Sequence, residues 1–271
     1  MAKAIAAHVQ ALHSDDADTH VAAAKALRRL AASQTVNDVT RIAAAGAIPP
    51  LVNLLRNGPA SSKKHAAAAL WNIAADGKNI NQEVVAAAGA IAPLVELLLN
   101  GDDSTSDKQD AAGALATIMN NQKTDEADAI RVEVAAAGAI PLLVEVEQSG
   151  GDDAKKQAKR ALKHLAVANP QNVVAIAQAR GGVEALAVLA NDDSDEIVRK
   201  TAVLALADLA ADPVPTDFNC VACQDARRSV VTLPCKHCSL CHACAATIRS
   251  STNACPICRG AIDSTVAFHL A

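Results

Sequence analysis

The residues with the clearest chemical potential are cysteines and one histidine that recur at short, regular spacings late in the chain. All eight cysteines fall between Cys220 and Cys258. Seven of them and His237 follow the pattern C-x2-C-x11-C-x-H-x3-C-x2-C-x10-C-x2-C. Thiolate and imidazole are ligands that zinc prefers, and a C-x2-C pair in a tight turn can present two thiolates to one ion. Eight ligands therefore predict two tetrahedral zinc sites.

Two alternatives bear on this cluster. A disulfide framework is disfavoured because nothing in the sequence indicates secretion. The first residues, Met1 to Leu12, are alanine-rich and followed by acidic residues, which is typical of a first helix and not of a secretory signal or transit peptide. The second alternative concerns Cys238, which forms a C-x2-C pair with Cys235 and could replace His237 as a ligand.

The composition indicates a helical protein that does not bind nucleic acid. Just over half of the 271 residues are apolar, with one tryptophan, two phenylalanines and no tyrosine. Alanine has the highest helix propensity and lets helices approach closely. The formal net charge of −4 lacks the basic excess of a nucleic-acid-binding protein. We expect no membrane span, because no run of about 18 apolar residues exists.

The elements ahead of the cysteines form a repeat. The phrase AAAGAIPPLVNLLRNG at Ala43–Gly58 returns at Ala86–Gly101 and Ala135–Gly150, with a degenerate copy at Ala177–Asp192. Glycines 46, 89, 138 and 181 set periods of 43, 49 and 43 residues, and the extra residues fall in polar loops. A period in the forties with only helical patterns predicts a helical solenoid, in which each unit has a short helix, a bend at glycine and two further helices.

The phrase GAIPxLVxLL in a repeat of this length resembles the armadillo repeat, and a HEAT-like or generic α-solenoid is the alternative. Three copies are well formed, the first (Ala4–Ala32) is truncated, and the fourth (Ala177–Ala211) is degenerate. The predicted fold is an all-α armadillo-like superhelical solenoid followed by a small zinc-stabilised α+β domain. We place the solenoid at residues 1–211, a proline-containing linker at 212–217, and the zinc domain with its tail at 218–271.

The cysteine pattern resembles the RING finger of the C3HC4 order, in which the histidine is the fourth ligand. A PHD finger would place its histidine fifth. The phrases VVTLPCKH (Val230–His237) and CPICR (Cys255–Arg259) are similar to RINGs of the inhibitor-of-apoptosis and mitochondrial-ligase type, although the x10 loop is longer than usual there. This family order favours His237 over Cys238.

The RING resemblance implies an interleaved pairing of ligands. Cys220 and Cys223 would join Cys241 and Cys244 on one zinc ion. The second ion would be held by the other four ligands, which are Cys235, His237, Cys255 and Cys258. Both ions would be structural, because protein ligands fill every position. A domain of this size has too little core to fold without its metal.

The same resemblance implies a RING-type E3 ubiquitin ligase that holds a ubiquitin-charged E2 enzyme without forming a covalent intermediate. The expected E2 groove comprises Val221, Ala222, Ile248 and Pro256, and Ala222 departs from the usual Ile or Val. Arg259 would be the linchpin that bridges E2 and ubiquitin. RINGs of this type dimerise through their tails, which makes Phe268 a candidate dimer or ubiquitin contact.

Peptide-binding armadillo proteins carry a ladder of asparagines on the third helix of each repeat. The positions matching that ladder here hold Arg29, Asn72, Thr117, His164 and Asp208, so only Asn72 keeps the family residue. Trp71 does not match the family's tryptophan position, where Ala68 stands. We therefore expect a specific binding surface in place of a general one. Its candidate residues are Arg28, Arg29, Trp71, Asn72, Lys163 and His164.

The leading hypothesis joins the two parts: the solenoid recruits a protein substrate, and the RING recruits a charged E2. The expected partners are an E2 enzyme, ubiquitin and a protein substrate, together with a RING homodimer. The alternative is a non-catalytic armadillo and RING scaffold for protein assembly. We expect a cytoplasmic or nuclear location, because a dense thiol cluster suits a reducing compartment.

Overall fold

The structure is a computed structural model that describes most of the chain. It leaves out residues 1, 15, 33–35, 76–79, 103–105, 121–124, 168, 192–197, 199–201, 203–218, 221, 224, 227–228, 234, 236, 258 and 268–271. The side chains of residues 36, 37, 80, 125, 126, 170, 237 and 238 also lie outside the described part.

The described residues form helices up to Ala190 and a small mixed domain after Asn219. The helices are α1 (Ala2–Ala11), α2 (Ala17–Ala32), α3 (Val36–Ala44), α4 (Ile48–Asn57), α5 (Ala60–Ala74), α6 (Ile80–Ala87), α7 (Ile91–Asn100), α8 (Asp107–Ile118), α9 (Asp125–Ala136), α10 (Ala139–Ser149), α11 (Asp152–Ala166), α12 (Pro170–Gln178), α13 (Gly182–Ala190) and α14 (His242–Ser250). The strands are β1 (Val230–Leu233), β2 (His237–Leu240) and β3 (Ser264–Ala267).

The predicted three-helix repeat is confirmed. Helices α3, α4 and α5 form one copy, followed by α6 to α8 and by α9 to α11. The bend between the first two helices of each copy requires a left-handed residue, and the repeat glycine supplies it: Gly46 has φ 78° and Gly138 has φ 83°. A side chain at φ near +80° would strain the backbone, which explains why glycine recurs there. Proline in the first turn of α4 costs no hydrogen bond.

The chain forms two compact units, Met1–Leu165 and Ala166–Ala271. In the first unit the third helices of successive repeats, α2, α5 and α8, pack side by side. The core between them is built from small and branched side chains. Ala66, Ala67, Leu70 and Ile73 on α5 are fully buried. Alanine at the contact lets these helices approach closely, so the unit needs few aromatic residues.

The second unit contains α12, α13 and the cysteine-rich domain. The compact units therefore divide at Leu165, whereas we placed the domain boundary at Ala211. The predicted linker, 212–217, lies outside the described residues, so that boundary stays a prediction. No single described helix has the length and apolarity to cross a membrane. One pair, Asn81–Ala87 and Ile91–Asn100, meets both criteria only when taken together, and it is bent by 78°.

The cysteine-rich domain is a three-stranded antiparallel sheet in the order β2-β1-β3, with α14 packed beside it. β1 is central because it pairs with β2 through Val230 and Leu240 and with β3 through Val231 and Val266. The residues after the last predicted ligand form β3. The core beneath the sheet comprises Cys220, Val230, Leu240, Cys241 and Ala245. This core is too small to hold a fold by burial alone, so metal binding must contribute.

Candidate metal centre and E2-facing surface

Four cysteines from two separate segments meet at one point. Cys220 and Cys223 lie in the loop before β1, Cys241 caps the N-terminus of α14, and Cys244 lies in the first turn of that helix. Their four sulfur atoms all lie within 4.8 Å of one another. These are the four residues predicted to share one zinc ion.

The sulfur spacing tests whether zinc fits. Zn–S bonds of about 2.3 Å in a tetrahedron place neighbouring sulfurs about 3.8 Å apart. The Sγ atoms of Cys223 and Cys241 are 3.9 Å apart. A disulfide would bring two sulfurs to about 2 Å, and none of the six cysteines whose side chains are described forms one. The geometry and the donor set therefore both suit a zinc ion held by four thiolates.

Backbone hydrogen bonds hold the first ligand pair in place. The Cys220 N–H donates to the carbonyl of Ala226 at 2.7 Å, which closes the loop around both cysteines. The Ala222 N–H donates to the Cys220 sulfur at 3.4 Å. On the other side, Cys241 is the N-cap residue of α14 and Cys244 lies in the first turn of that helix, so one helix end positions both sulfurs. The loop before β1 and the N-terminus of α14 thus each hold two cysteines in position to bind one metal ion.

The pKa values of two of the clustered thiols, Cys223 and Cys244, are shifted in opposite directions. The N–H groups of Ala226 and Asp225 lower the pKa of Cys223 to about 7. Hydrogen bonding to the Cys241 sulfur raises the pKa of Cys244 to about 12. Four thiolates so close together repel one another, and a divalent cation is what allows all of them to lose their protons near neutral pH.

The second predicted site is described only in part. Cys235 and Cys255 are described, whereas Cys258 and the side chain of His237 lie outside the described residues. The Thr232 hydroxyl lies 3.2 Å from the Cys235 sulfur. Cys255 is buried, and its N–H donates to the carbonyl of Gly260 at 2.8 Å in a turn like that at Cys220. The choice between His237 and Cys238 stays a prediction.

The residues expected to face an E2 enzyme differ in exposure. Ala222 and Pro256 are exposed, whereas Ile248 is half-buried and packs against the zinc-domain core. Val221 and Phe268 lie outside the described residues. Sequence reasoning missed Ile257, which stands between Pro256 and the last ligand and is 40% exposed. The sequence signal that could have identified Ile257 is an apolar residue between two predicted zinc ligands, Cys255 and Cys258.

Arg259 follows the last ligand directly, and its backbone is unusual. It is exposed, has φ 60°, and donates its N–H to the Cys255 carbonyl at 2.8 Å. Arginine has a Cβ, so this left-handed conformation costs about 1 kcal/mol or more relative to glycine. The turn thus presents an arginine side chain in a position that favours glycine.

The candidate groove residues of the first unit lie on α2, α5 and α11. Arg29 is exposed, while the other five are half-buried. The Asn72 side-chain amide donates to the Arg28 carbonyl at 3.4 Å, so it links α5 to α2. The indole of Trp71 packs against Gly113 of α8, where a Cβ would lie 2.7 Å from the ring. Trp71 therefore contributes to packing between repeats, and sequence reasoning missed both Gly113 on α8 and His65 on α5.

Comparisons with known proteins agree with this architecture. An armadillo/beta-catenin-like repeat model matches residues 39–75, and a C3HC4-type zinc finger (RING finger) model matches residues 216–265. The designed armadillo repeat protein YIII(Dq)4CqI is 32% identical with a TM-score of 0.58, over 76% of this chain and 82% of that one. The chain belongs to the armadillo-repeat family and carries a RING finger.

A second solved structure adds information about ligands of this family. The designed armadillo repeat protein YIII(Dq.V1)4CPAF, solved in complex with the peptide (KR)4, is 29% identical with a TM-score of 0.57, over 76% of this chain and 82% of that one. That designed protein thus accommodates a basic peptide.

The curated relatives match this armadillo-repeat protein through a short stretch only. The probable E3 ubiquitin-protein ligase MGRN1 of Danio rerio is 52% identical over 40 residues, 15% of this chain and 8% of that protein. The probable E3 ubiquitin-protein ligase LOG2 of Arabidopsis thaliana is 42% identical over 57 residues, 21% of this chain and 14% of that protein. The chain therefore spans a small fraction of the length of the relatives it matches.

Proposed function

We propose that this protein is a RING-type E3 ubiquitin-protein ligase, whose RING binds a ubiquitin-charged E2 enzyme and whose armadillo solenoid recruits a protein substrate. The observation that carries the proposal is the arrangement around the zinc centre. Beside the four-cysteine cluster, the domain has a turn at Cys255 that is closed by hydrogen bonds from the Cys255 N–H to the Gly260 carbonyl and from the Arg259 N–H to the Cys255 carbonyl. That turn presents Pro256, Ile257 and Arg259 to solvent. Exposed apolar side chains next to the guanidinium of Arg259 suit a small docking surface for another protein.

Ubiquitin transfer requires this chain to orient the E2 thioester and the attacking lysine, and it requires no nucleophile from this chain. In the transfer, the amine nitrogen of a lysine attacks the thioester carbon that joins ubiquitin to the E2 cysteine. The carbon–sulfur bond breaks, an isopeptide bond forms, the E2 thiolate leaves, and the lysine nitrogen loses a proton. Holding the thioester in the reactive geometry can lower the barrier by several kcal/mol.

Arg259 is the residue we assign to that orientation. Its planar guanidinium can donate to carbonyl oxygens of two partners at once. A left-handed backbone at an arginine is retained when the surrounding structure compensates for its cost, which is common at functional sites. Arg259→Gly should therefore relieve strain and stabilise the RING by about 1 kcal/mol while it removes the bridging group.

The experiment is discharge of a panel of ubiquitin-charged E2 enzymes onto free lysine in the presence of the zinc-loaded chain. We expect acceleration with at least one E2, and loss of most of it in Arg259→Ala and Arg259→Gly with zinc content unchanged. Arg249→Ala is the matched control, because that arginine is exposed on α14. Discharge at the uncatalysed rate with every E2 would refute the ligase proposal, and full activity of both Arg259 variants would refute the linchpin role.

One observation favours a scaffold that assembles proteins without catalysis. Ala222 is exposed at the position where the RING resemblance implies a larger Ile or Val, so the apolar contact there is reduced. Ala222→Ile separates the two functions. A ligase with a weak E2 contact should gain discharge activity in this variant, whereas a scaffold should stay inactive.

Substrate recruitment by the solenoid, homodimerisation through the RING tail with Phe268, and a cytoplasmic or nuclear location belong to the same proposal. A cluster of cysteines arranged to bind a metal ion, with no disulfide among the described ones, supports the reducing compartment. Proteins captured by the zinc-loaded chain but not by a chain with altered groove residues would identify the substrate.

A further inference from the structure

Positively charged side chains on α2 and α5, the third helices of two successive repeats, surround His65. The guanidinium of Arg28 on α2 lies 3.4 Å from the His65 ring nitrogen on α5. Three more cations, Lys25, Arg29 and Lys64, are close enough for their charges to act on the same imidazole. We call these five residues the His65 cluster.

The His65 cluster has little negative charge to balance it. The ion pairs in the described part of the chain join Arg41 to Asp38, Lys63 to Glu96 and Arg131 to Asp128. None of them includes a cation of the cluster.

The carboxyl that Arg28 and Lys64 do act on is that of Asp110 on α8. That side chain is buried and accepts a hydrogen bond from the Ser106 hydroxyl at 2.8 Å. Burial raises the pKa of Asp110, and the charge of Asp107 nearby raises it further. With both carboxyl groups ionised, the four cations of the cluster still outnumber them. The cluster therefore keeps an excess of positive charge in a protein whose net charge is −4.

The arrangement of these cations suits an extended ligand. Lys25, Arg28 and Arg29 are spaced three and four residues apart, so they lie on one face of α2. Packed helices have axes about 8–10 Å apart, and residues two apart in an extended peptide lie on the same side, about 7 Å from each other. Because arginine and lysine side chains are long, a peptide that crosses α2 and α5 can place alternate carboxylates near Arg29 and then near Lys64.

We propose that the His65 cluster binds an acidic, extended segment of a partner protein. This inference rests on the proposed recruitment of a protein substrate by the solenoid and names its chemistry. A single-stranded nucleic acid fits less well, because the one tryptophan of the chain packs against Gly113 and the chain has no tyrosine for base stacking. The ligand is opposite in charge to the (KR)4 peptide of the designed armadillo neighbour.

The test uses the zinc-loaded full chain and two labelled octapeptides, (DE)4 and (KR)4, with binding followed by fluorescence anisotropy. We expect (DE)4 to bind at least about tenfold more tightly than (KR)4 and to weaken as salt rises from about 50 to 200 mM. The double variant Arg29→Glu, Lys64→Glu should lose at least about tenfold in affinity for (DE)4. The matched control, Lys3→Glu with Arg180→Glu, makes the same change in net charge at exposed positions that are not part of the cluster and should change affinity less than about twofold.

Three results would overturn the inference: tighter binding of (KR)4, equal loss in the cluster and control variants, or tighter binding of an oligothymidylate of equal charge than of (DE)4. Circular dichroism and Trp71 fluorescence check that each variant is folded. Because the assay contains no E2 or ubiquitin, peptide binding can fail while E2 discharge persists. Discharge can equally fail while the peptide binds, so the two proposals are refuted separately.

Discussion

The contact between Trp71 and Gly113 predicts that a single methyl group destabilises the solenoid. A Cβ at position 113 would lie 2.7 Å from Cε2 of the indole and 2.8 Å from Cδ2 and Cζ2. Ordinary carbon contacts are about 3.5–4.0 Å long. In Gly113→Ala the indole or helix α8 must therefore retreat by about 0.8 Å, in a core where neighbouring residues are fully buried.

Two opposing effects set the magnitude. Overpacking of this kind costs about 1–3 kcal/mol, whereas alanine in a helix interior is favoured over glycine by about 1 kcal/mol. The cost of overpacking exceeds the gain in helix propensity, so we expect Gly113→Ala to lower the free energy of unfolding by about 1 kcal/mol. In a Trp71→Leu background the ring is absent, so the same substitution should become stabilising by about 0.5–1 kcal/mol.

The assay is urea unfolding of the full chain. Because the chain has one tryptophan and no tyrosine, its fluorescence reports the surroundings of Trp71 alone. Helical circular dichroism replaces it in the Trp71→Leu background. The reasoning is refuted if Gly113→Ala has the same sign in both backgrounds, because the clash would then not decide the outcome.

Three further predictions concern the RING. Chelation of zinc should abolish the β-sheet domain and leave the solenoid helical, which circular dichroism measures; loss of nearly all helical signal would contradict this. Zinc affinity should fall as pH falls from about 8 to 6, because the thiols of Cys223 and Cys244 must lose protons to bind and protonation competes with the metal. Competition with a calibrated chelator measures this affinity, and an affinity that does not change with pH would contradict the prediction. Ile257→Ala should slow E2 discharge by roughly tenfold with little change in thermal stability, because that side chain is exposed. Ile248→Ala should instead lower RING stability by about 1–2 kcal/mol, because that side chain packs on the core. The reverse pattern would show that the exposed apolar face is not the docking surface.

Much of the fold could be predicted because it depends on patterns local in the chain. The repeat glycines marked bends that need positive φ, and Gly46 and Gly138 adopt it. The C-x2-C pairs predicted two-ligand turns, and the turn at Cys220 is closed by a hydrogen bond to Ala226. The predicted solenoid boundary at Ala211 stays untested, because the compact units divide at Leu165 and residues 203–218 are not described.

The surfaces were harder to predict, because exposure depends on how elements rotate against one another. Ile248 and Ile257 are equally apolar in sequence, yet Ile248 on α14 packs against the core of the domain, whereas Ile257 in the turn after Cys255 is exposed. The His65 cluster joins residues 37 positions apart. Its members meet only because α2 and α5 pack in a particular register.

The sequence by itself determined that a helical repeat precedes a two-zinc domain, and it identified by type and spacing the four cysteines that the structure brings together. Metal ligation and helix periodicity are properties of nearby residues, so spacing along the chain is enough to specify them. Only the tertiary structure decided that the sulfurs of Cys223 and Cys241 lie one tetrahedral edge apart, that Trp71 packs against Gly113, and that four cations surround His65. Those contacts depend on the packing of separate segments, where a shift of about one ångström removes the contact altogether.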